Sequence, residues 1–419
     1  MANDWQTITV ADLGRVVTGK TPPTAKPHLY GDGYPFITPT DIGSLRYCEP
    51  SRQLSEEGRE SHRNLLLPAR TVCVTCIASV GKMCMTDRPS FTNQQINSIV
   101  VDVSRHDPFF VYYLLQTKVE HLKSIAGGAA TPIINKTAFS EIEVTVPPLV
   151  IQRRIAGILS AYDELIENGQ RRIKILETMA RALYREWFVH FRFPGHESVP
   201  RVPSPMGEIP QGWEVKELSA VCSRGNGVQT GPFGSQLHEA DYSTEGVPVV
   251  MPKDLLDFRI RVDSVARIPE ALAERLGRHR MQPGDIVYGR RGDIGRRAFV
   301  MSHQAGWFCG TGCLRIRPDP KAVNGWFLFN YLGQDDVVGL IKGRAQGVTM
   351  PNLNTGVLSS IPLRLPPRTL QDEFARLTFP MAEAREVLTE KIQNRRRTRD
   401  LLLPRLLSGQ IDVETLDHA

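Results

Sequence analysis

The sequence of 419 residues has no long apolar run, an odd number of cysteines and little excess of one charge. Nowhere do roughly 18 apolar residues follow one another, which argues against a membrane-spanning helix. The first residues, MANDWQTITV, include Asp4 and no apolar stretch, so we predict no secretory signal. Seven unevenly spread cysteines favour a reducing cytoplasm over a disulfide scaffold. The net charge of +6 is too small to indicate a nucleic-acid partner by itself.

The sequence also lacks a recognisable set of catalytic residues. It has no Ser/His/Asp order, no HExxH pattern and no paired carboxylates. Gly14–Thr21 matches the P-loop pattern G-x-x-x-x-G-K-[ST], but two prolines follow and disfavour the helix that must begin there. Cys73 and Cys76 would point to opposite faces of a strand, so we predict buried, inert cysteines. We predict no catalytic residue and no metal ligand, and keep a nucleotide-binding P-loop protein centred on Lys20 as a rival function.

The most informative feature that is present is an internal duplication. The segment GYPFITPTDI (33–42) is similar to GVPVVMPKDL (246–255) at an offset of 213 residues. The turn Ser79–Gly81 is similar to Asp293–Gly295 at an offset of 214 residues. Later matches lie at an offset of 219 residues: Asn135 and Asn354, Pro147 and Pro366, Pro148 and Pro367, Gln152 and Gln371. A few inserted residues in the second copy produce such a steady rise, whereas chance matches would scatter.

Each copy consists of a turn-rich part followed by a long helix. Short β-branched runs among Gly, Pro and Thr predict a mixed domain of short strands and turns. Asp107-Pro108 predicts a capped helix start, and Asn324-Gly325 takes the same place in the second copy. We divide the chain into a first mixed domain (1–149), a first long helix (150–193), an extended linker (194–212), a second mixed domain (213–367), a second long helix (368–411) and a tail (412–419). The predicted fold class is α+β with an internal pseudo-twofold repeat.

The two long helices carry an apolar stripe with charged flanks. From Ile155 to Trp187, apolar residues recur near steps of three and four, which is a heptad-like pattern. A helix over 151–190 would span about 60 Å. The stripe returns over 374–392, where we expect Pro380 to kink or restart the second helix. Because one helix cannot bury such a stripe alone, we expect the two helices to pair. The alternative is that each packs back on its own domain.

The small positive charge of the chain is local. The net charge is 0 over 1–150, +3 over 151–205, +3 over 206–367 and 0 over 368–419. Arginines concentrate at two places, around a Gly-Asp-Ile-Gly turn (Arg290, Arg291, Arg296 and Arg297) and on the last helix (Arg395, Arg396, Arg397 and Arg399). Arginines on such a turn can reach phosphates or a guanine edge of DNA. The alternative is a solvated turn with Asp293 as their partner. The helix cluster favours solvent or a partner over DNA.

Several segments together resemble one known family. The most specific is 147–197, PPLVIQRRIAGILSAYDELIENGQRRIKILETMARALYREWFVHFRFPGHE. The others are GKTPPTAKPHLYGDGYPFITPTDI (19–42), GEIPQGWEV (207–215), TGPFGSQLHEADY (230–242), GDIVYGRRGDIG (284–295), GVTMPNLNTGVLSSIPLRLPP (347–367) and LLLPRLLSGQI (401–411). Through these segments, nearly the whole chain resembles the DNA-sequence specificity subunit of bacterial type I restriction–modification systems.

The resemblance implies a fold and a set of partners. It implies two target-recognition domains, each reading one half of a split, asymmetric target in double-stranded DNA, and two helices that form an antiparallel coiled coil between them. It also implies docking of two methyltransferase subunits, which bind S-adenosylmethionine, and of ATP-dependent motor and restriction subunits. The chain itself would bind no cofactor and supply no chemistry. A repeat-built adaptor that binds protein without reading DNA remains a rival function.

We predict the DNA contacts from polar or basic side chains on turns at matched places of the two copies. In the first domain these are Lys20, Thr21, Thr38, Thr40 and Lys82. In the second they are Gln229, Ser235, Lys253, Arg290, Arg291 and Arg296. For methyltransferase docking we predict Tyr162, Leu165, Leu183 and Trp187, although each of these side chains suits the interior of the coiled coil as well. Because the two domains differ strongly in sequence, we expect them to read different half-sites.

Overall fold

The computed structural model describes residues 5–128, 131–234, 236–256, 259–261, 265–345 and 352–413. Its internal contacts divide the chain into two units, the first formed by residues 1–173 with 386–419 and the second by residues 174–385. Each unit contains one copy of the duplicated sequence together with part of both long helices. Both units mix helices with short strands, which confirms the predicted α+β class.

The described part of the first unit contains short strands, four short α-helices, 3₁₀ turns and parts of both long helices. The strands are β1 (Gln6–Thr9), β2 (Gly14–Thr18), β3 (Tyr30–Ile37), β4 (Arg52–Leu54), β5 (Val72–Thr75), β6 (Met83–Met85), β7 (Phe91–Thr92), β8 (Ile96–Val101) and β9 (Glu143–Val146). The helices are α1 (Glu56–Ser61), α2 (Pro108–Gln116), α3 (Val119–Ile125), α4 (Lys136–Ser140) and the long α5 (Leu149–Tyr184). A π-helical turn, Arg185–Val189, follows α5 in the second unit.

The strands of the first unit form three small sheets. An antiparallel sheet has the order β2-β8-β5-β6, a second sheet has the order β4-β3-β7, and β1 pairs with β9. Val72 of β5 lies between Ile99 of β8 and Met85 of β6, and all three side chains are buried. The four-stranded sheet thereby contributes one wall of the hydrophobic core, which α2 and the start of α5 complete.

The described part of the second unit has the same kinds of element and four more strands than the first. Its strands are β10 (Arg201–Val202), β11 (Ile209–Pro210), β12 (Glu214–Glu217), β13 (Val228–Thr230), β14 (Val247–Val250), β15 (Leu255–Leu256), β16 (Arg259–Ile260), β17 (Ala266–Ile268), β18 (Ile286–Gly289), β19 (Arg297–Phe299), β20 (Phe308–Cys309), β21 (Cys313–Ile316) and β22 (Pro362–Leu365). Its helices are α6 (Glu270–Arg275), α7 (Gly325–Tyr331), α8 (Asp335–Arg344), α9 (Thr355–Ser359) and α10 (Arg368–Leu407), whose second half belongs to the first unit.

The three sheets of the first unit recur strand for strand in the second unit, which also contains the two-stranded sheets β10-β11 and β15-β16. The orders β13-β21-β18-β19, β17-β14-β20 and β12-β22 take the places of the three sheets described above. In both three-stranded sheets the central strand pairs antiparallel with one neighbour and parallel with the other. The internal duplication predicted from the sequence is therefore confirmed as a structural repeat.

Matched polar side chains hold the start of each long helix in the same way. Gln152 accepts a hydrogen bond from the backbone N–H of Asp107 (3.0 Å) and donates one to the carbonyl of Pro147 (2.8 Å). Gln371 does the same with Asn324 (2.8 Å) and with Pro366 (2.7 Å). Asp107 and Asn324 cap α2 and α7 through their side chains, as predicted. These buried bonds tie each long helix to the domain that precedes it.

The two long helices pair in an antiparallel manner within each unit. In the first unit Arg395 donates to the carbonyl of Leu165 (3.2 Å), and Arg399 pairs with Asp163, which precedes Leu165 on α5. In the second unit Arg385 lies 3.8 Å from Glu177, and the ring of Phe374 lies 5.6 Å from that of Tyr184. Residue numbers thus rise along α5 as they fall along α10. The predicted pairing of the helices is confirmed.

Two sequence expectations, for Leu165 and for the linker, were wrong, and the restart expected as one alternative at Pro380 does not occur. Leu165 belongs to the predicted stripe, yet 47% of it is exposed, while Asp163 and Glu167 are buried in polar contacts. Helix α10 continues through Pro380 without a restart, since buried Phe374 and Ala382 hold it on both sides. The linker is folded, not extended. Its strands β10 and β11 pair, and Ile209 is buried in the core of the second unit. No helix in the described ranges has the length and hydropathy needed to cross a membrane.

Candidate nucleic-acid interface

Five of the predicted contact residues meet at one end of the first domain. We define the first turn cluster as residues 19–21, 38–41, 79–82 and 93–95. The backbone of Lys20 donates to the carbonyl of Thr92 (3.0 Å), and the hydroxyl of Thr21 donates to Gln94 (2.5 Å). Asn93 in the same turn donates to the carbonyl of Ile37, which ends β3 (3.1 Å). The ends of β2 and β3 therefore converge on one turn.

The remaining residues of the first turn cluster surround a carboxylate. The backbone N–H and the hydroxyl of Thr38 donate to Asp41 (2.8 and 2.7 Å), and the hydroxyl of Thr40 lies 2.8 Å from that of Thr38. Burial alone would raise the pKa of Asp41, but hydrogen bonds from Thr38 and Ser51 outweigh burial and lower it. The ammonium of Lys82 reaches the carbonyl of Pro39 (3.4 Å). Lys20, Thr40 and Lys82 are exposed and available to a ligand.

The second domain has an equivalent cluster. We define the second turn cluster as residues 231–234, 252–254, 289–296 and 310–312. The backbone of Arg290 donates to the carbonyl of Gly312 (2.9 Å), and the hydroxyl of Thr311 donates to the carbonyl of Pro232 (3.1 Å). Lys253 is exposed on the 3₁₀ turn Pro252–Asp254. The turn between β20 and β21 thus takes the place of the turn between β7 and β8.

Glycines at matched positions show that the two clusters have the same backbone frame. A Cβ atom on Gly19 would lie 2.2 Å from the carbonyl oxygen of Thr92, and one on Gly231 would lie 2.0 Å from that of Gly310. Gly295 (φ 115°) lies against Val338 of α8 as Gly81 (φ 90°) lies against α3. Both conformations favour glycine. The residues that follow these glycines differ between the copies. Lys20-Thr21 corresponds to Pro232-Phe233, and exposed Lys82 corresponds to exposed Arg296.

The three predicted arginines of the second turn cluster have different environments. Arg291 is exposed, whereas Arg290 is half-buried and its guanidinium donates to the carbonyl of Leu353 (3.0 Å). Burial, and then the neighbouring charge of Arg291, lower the pKa of Arg290. Arg296 pairs with Asp293 at 2.8 Å. This pairing is the one expected if the turn is solvated and Asp293 is the partner of its arginines. Arg291 is therefore the side chain best placed to contact an external ligand directly, and Arg290 positions the turn.

Gln229 has an intramolecular partner that the sequence did not reveal. Arg315 is 2% exposed on β21 and donates to the side chain of Gln229 (2.7 Å) and to the carbonyls of Asn226, Arg278 and Arg280 (3.0 Å each). Burial is the main cause that lowers the pKa of Arg315. The buried guanidinium of Arg315 thus fixes the orientation of the Gln229 side chain. Arg315 is a positioning residue, and no local pattern in the sequence distinguishes it from a surface arginine. Ser235 lies outside the described residues.

The predicted docking residues divide into surface and core. Trp187 is 6% exposed, packs against Phe188 and Phe374 and belongs to the core of the second unit, so its assignment to docking is corrected. Leu183 packs against the same core. Tyr162 is half-buried, and Leu165 alone of the four is exposed. Two arginines of the α10 cluster have partners within the first unit, since Arg396 donates to Ser44 (3.3 Å) and Arg399 to Asp163, whereas Arg397 is exposed to solvent.

The motifs that suggested other chemistry have ordinary structural roles. Gly14–Thr18 is strand β2, and the residues that follow it, Gly19–Pro23, are not helical, so the P-loop geometry is not formed. Cys73 and Cys76 are buried, as predicted, and burial raises the pKa of Cys76 to about 11. Across the residues that the structure describes, no three His, Cys, Asp or Glu side chains are grouped to hold a metal ion.

Comparison with known proteins identifies the family. The model of the family described as "Type I restriction modification DNA specificity domain" matches residues 2–178 and again residues 210–394, one match for each copy of the repeat. The chain belongs to this type I DNA specificity family. The MjaIX specificity subunit of a type I restriction enzyme from Methanocaldococcus jannaschii is 28% identical over 421 residues, covering 99% of this chain and 95% of the relative.

The chain is also similar to a second specificity subunit in sequence and to a solved S subunit in fold. The HindI specificity subunit of a type I restriction enzyme from Haemophilus influenzae is 33% identical over 180 residues, which is 41% of this chain and 39% of the relative. The crystal structure of a type I restriction–modification S subunit from M. genitalium matches with a TM-score of 0.65 at 18% identity, and the match covers 96% of both chains. The last similarity concerns the fold alone.

Proposed function

We propose that this chain is the DNA specificity subunit of a type I restriction–modification complex and that each domain reads one half of a split, asymmetric target. The observation that carries the proposal is the pair of turn clusters. They share one backbone frame, marked by Gly19 with Gly231 and by Gly81 with Gly295, but expose different polar and basic side chains. A shared frame with different contact residues suits two related but different DNA half-sites, since sequence is read by side chains on base edges.

We further propose that the chain assembles with two methyltransferase subunits and with motor and restriction subunits, and that these partners bind S-adenosylmethionine and ATP. The long helices expose several apolar side chains, which supports a docking role for the helix pair. These side chains are Val150, Leu165, Ile175, Met179, Val387 and Leu401. Scattered apolar side chains are common on surfaces, but a series along two paired helices suits contact with another protein. The chain then contributes specificity, and its partners contribute the chemistry.

Mapping of methylated bases tests the target. In a host without other adenine methylation, we expect this chain and its methyltransferase to modify a bipartite motif with two unlike halves and a spacer of constant length. The methyltransferase expressed alone is the control, and should leave no such motif. A palindromic motif would contradict the proposal that the two domains read different half-sites. If both subunits together add no methylation, the proposed function itself is contradicted.

Arg291 is expected to contribute to one half-site only. Arg291→Ala removes an exposed guanidinium from the second turn cluster. If it contacts a guanine, the variant should lose about 1–3 kcal/mol of binding free energy and relax the motif at one position. The measurement is the affinity for targets mutated in either half, with Lys216→Ala on β12 as a control that also removes one exposed positive charge. Equal relaxation in both halves, or unchanged affinity and salt dependence, would exclude a direct contact.

A further inference from the structure

A cavity in the second unit is lined by an unusual number of positive charges. Its volume is about 320 Å³, and five cations line it, Arg181, Arg185, Arg296, Arg297 and Lys342. Two carboxylates, Asp293 and Asp335, also line it, so the walls carry an excess of three positive charges. We call this site the cationic cavity. A concave surface with an excess of one sign of charge concentrates ions of the opposite sign.

Three separate elements build the cationic cavity. Arg181 and Arg185 are one helical turn apart and share a face at the end of α5, where the backbone changes to the π-helical turn. Arg296 and Arg297 directly follow the Gly-Asp-Ile-Gly turn, whose Gly295 packs closely against Val338 of α8. Lys342 comes from α8 and lies 3.9 Å from Asp293. Single-turn π-helical segments occur often at functional sites.

One of these arginines is held in place before any ligand arrives. Arg297 is 7% exposed, its Nε donates to the carbonyl of Phe329 (2.9 Å), and its guanidinium lies 4.8 Å from the centre of the Phe329 ring. Gly333 makes room for this position, because a Cβ atom there would lie 1.5 Å from Nη2 of Arg297. A prepositioned guanidinium loses little conformational freedom when it binds an oxyanion.

We propose that the cationic cavity binds a backbone phosphate of the DNA duplex next to the half-site read by the second domain. The turn that Arg291 and Arg296 share favours DNA as the source of the phosphate. Arg291 is exposed, and Arg296 lines the cavity. Because they are five residues apart in the chain, their Cα atoms are at most about 18 Å apart. One duplex can therefore touch both. This inference rests on the proposed function and adds a phosphate contact that fixes the register of the domain on DNA.

Phosphate ethylation interference tests the cationic cavity directly. The full chain is assembled with its methyltransferase subunits and bound to the mapped target. We expect ethylation of one or two phosphates flanking the second half-site to block binding by the unmodified chain. Arg185→Ala should remove that sensitivity and weaken binding to target and random duplexes alike by about tenfold. It should also reduce the slope of log affinity against log salt by about 0.9 for each lost contact. Arg185→Lys, which keeps the charge, should restore part of the slope.

Two glycines, one in the turn before α8 and one on α8, provide a test that removes no charge. Gly333→Ala introduces the Cβ atom that would displace Arg297, whereas Gly339→Ala on α8 places its Cβ atom in open space. We expect the first variant to lose the same phosphate sensitivity and the second to behave like the unmodified chain. Sequence-specific binding with an unchanged interference pattern and salt slope in Arg185→Ala and Gly333→Ala would overturn the cavity proposal.

Two other outcomes separate this inference from the proposed function. If the unmodified complex binds no DNA sequence specifically, the proposed function fails, independently of the cavity. If Arg185→Ala weakens assembly with the methyltransferase, while the complexes that still form show an unchanged interference pattern, the cavity binds an acidic surface of a protein partner, and the assignment to a DNA phosphate is overturned. Amide hydrogen exchange of both variants shows whether the second unit remains folded.

Discussion

Phe374→Ala should lower the free energy of unfolding of the second unit by about 3–5 kcal/mol, which is the usual cost of deleting a buried aromatic ring. Phe374 is fully buried, and its ring centre lies 5.1 Å from that of Phe188, 5.6 Å from that of Tyr184 and 6.3 Å from that of Trp187. These three side chains come from α5 and the π-helical turn, and the adjoining Phe327 comes from α7. The substitution therefore leaves a cavity where both long helices meet the core of the second unit.

Amide hydrogen exchange measures the effect of Phe374→Ala in each unit separately. We expect faster exchange in residues 184–188, which contact this ring, and in residues 325–331, which pack in the same core. Arg376→Ala is the matched control, since it lies two residues further along α10, is exposed and pairs only with nearby Glu373. Such exposed pairs contribute about 0.5 kcal/mol or less. A Phe374→Ala variant as stable as Arg376→Ala would show that the aromatic cluster does not hold the helices.

Arg399→Ala should destabilise the first unit by about 3–5 kcal/mol, because it leaves a buried carboxylate without its cation. Asp163 has a side chain only 6% exposed, pairs with Arg399 and accepts a hydrogen bond from the hydroxyl of Tyr113 (2.6 Å). Beside it Arg46 pairs with Glu167 (3.3 Å) and lies over the ring of Phe109. Burial raises the pKa of Glu167, while the charge of Arg46 opposes that rise. One polar network thus joins the first domain to both long helices.

A double-mutant cycle distinguishes the cost of an unpaired charge from the loss of packing. Asp163→Asn keeps an acceptor for Tyr113 but removes the negative charge. We therefore expect Asp163→Asn with Arg399→Ala to be more stable than Arg399→Ala alone. Denaturant unfolding measures the free energies, and exposed Arg397→Ala is the control on the same helix. A double variant whose loss equals the sum of the single losses would show that the two side chains act independently.

Much of the architecture is visible in the sequence because it depends on local patterns and on repetition. The caps at Asp107 and Asn324 follow from the chemistry of helix starts, and both were predicted correctly. The matched pair Gln152 and Gln371 marks the same junction in both copies, which only a duplicated structure explains. The heptad-like spacing predicted helix pairing, because a stripe of that kind needs an apolar partner.

The errors occur where distant parts of the chain compete for the same side chain. Leu165 and Trp187 both fit the apolar stripe, yet one is exposed and the other is enclosed by an aromatic core. Pro380 is a helix breaker in isolation, but packing on both sides of it outweighs the loss of one backbone hydrogen bond. Spacing along one helix cannot show which face meets a domain that lies elsewhere in the sequence.

The sequence by itself determined the repeat, the two domains, the two long helices and the membership of the type I specificity family. Only the tertiary structure decided which arginines face outward and which are held inside. Arg291 is exposed, Arg297 lines a cavity beside Gly333, and Arg315 is buried beneath Gln229. The physical reason is that a guanidinium has the same chemistry at every position. Its role depends on the carbonyls, rings and carboxylates that folding brings to it from distant segments.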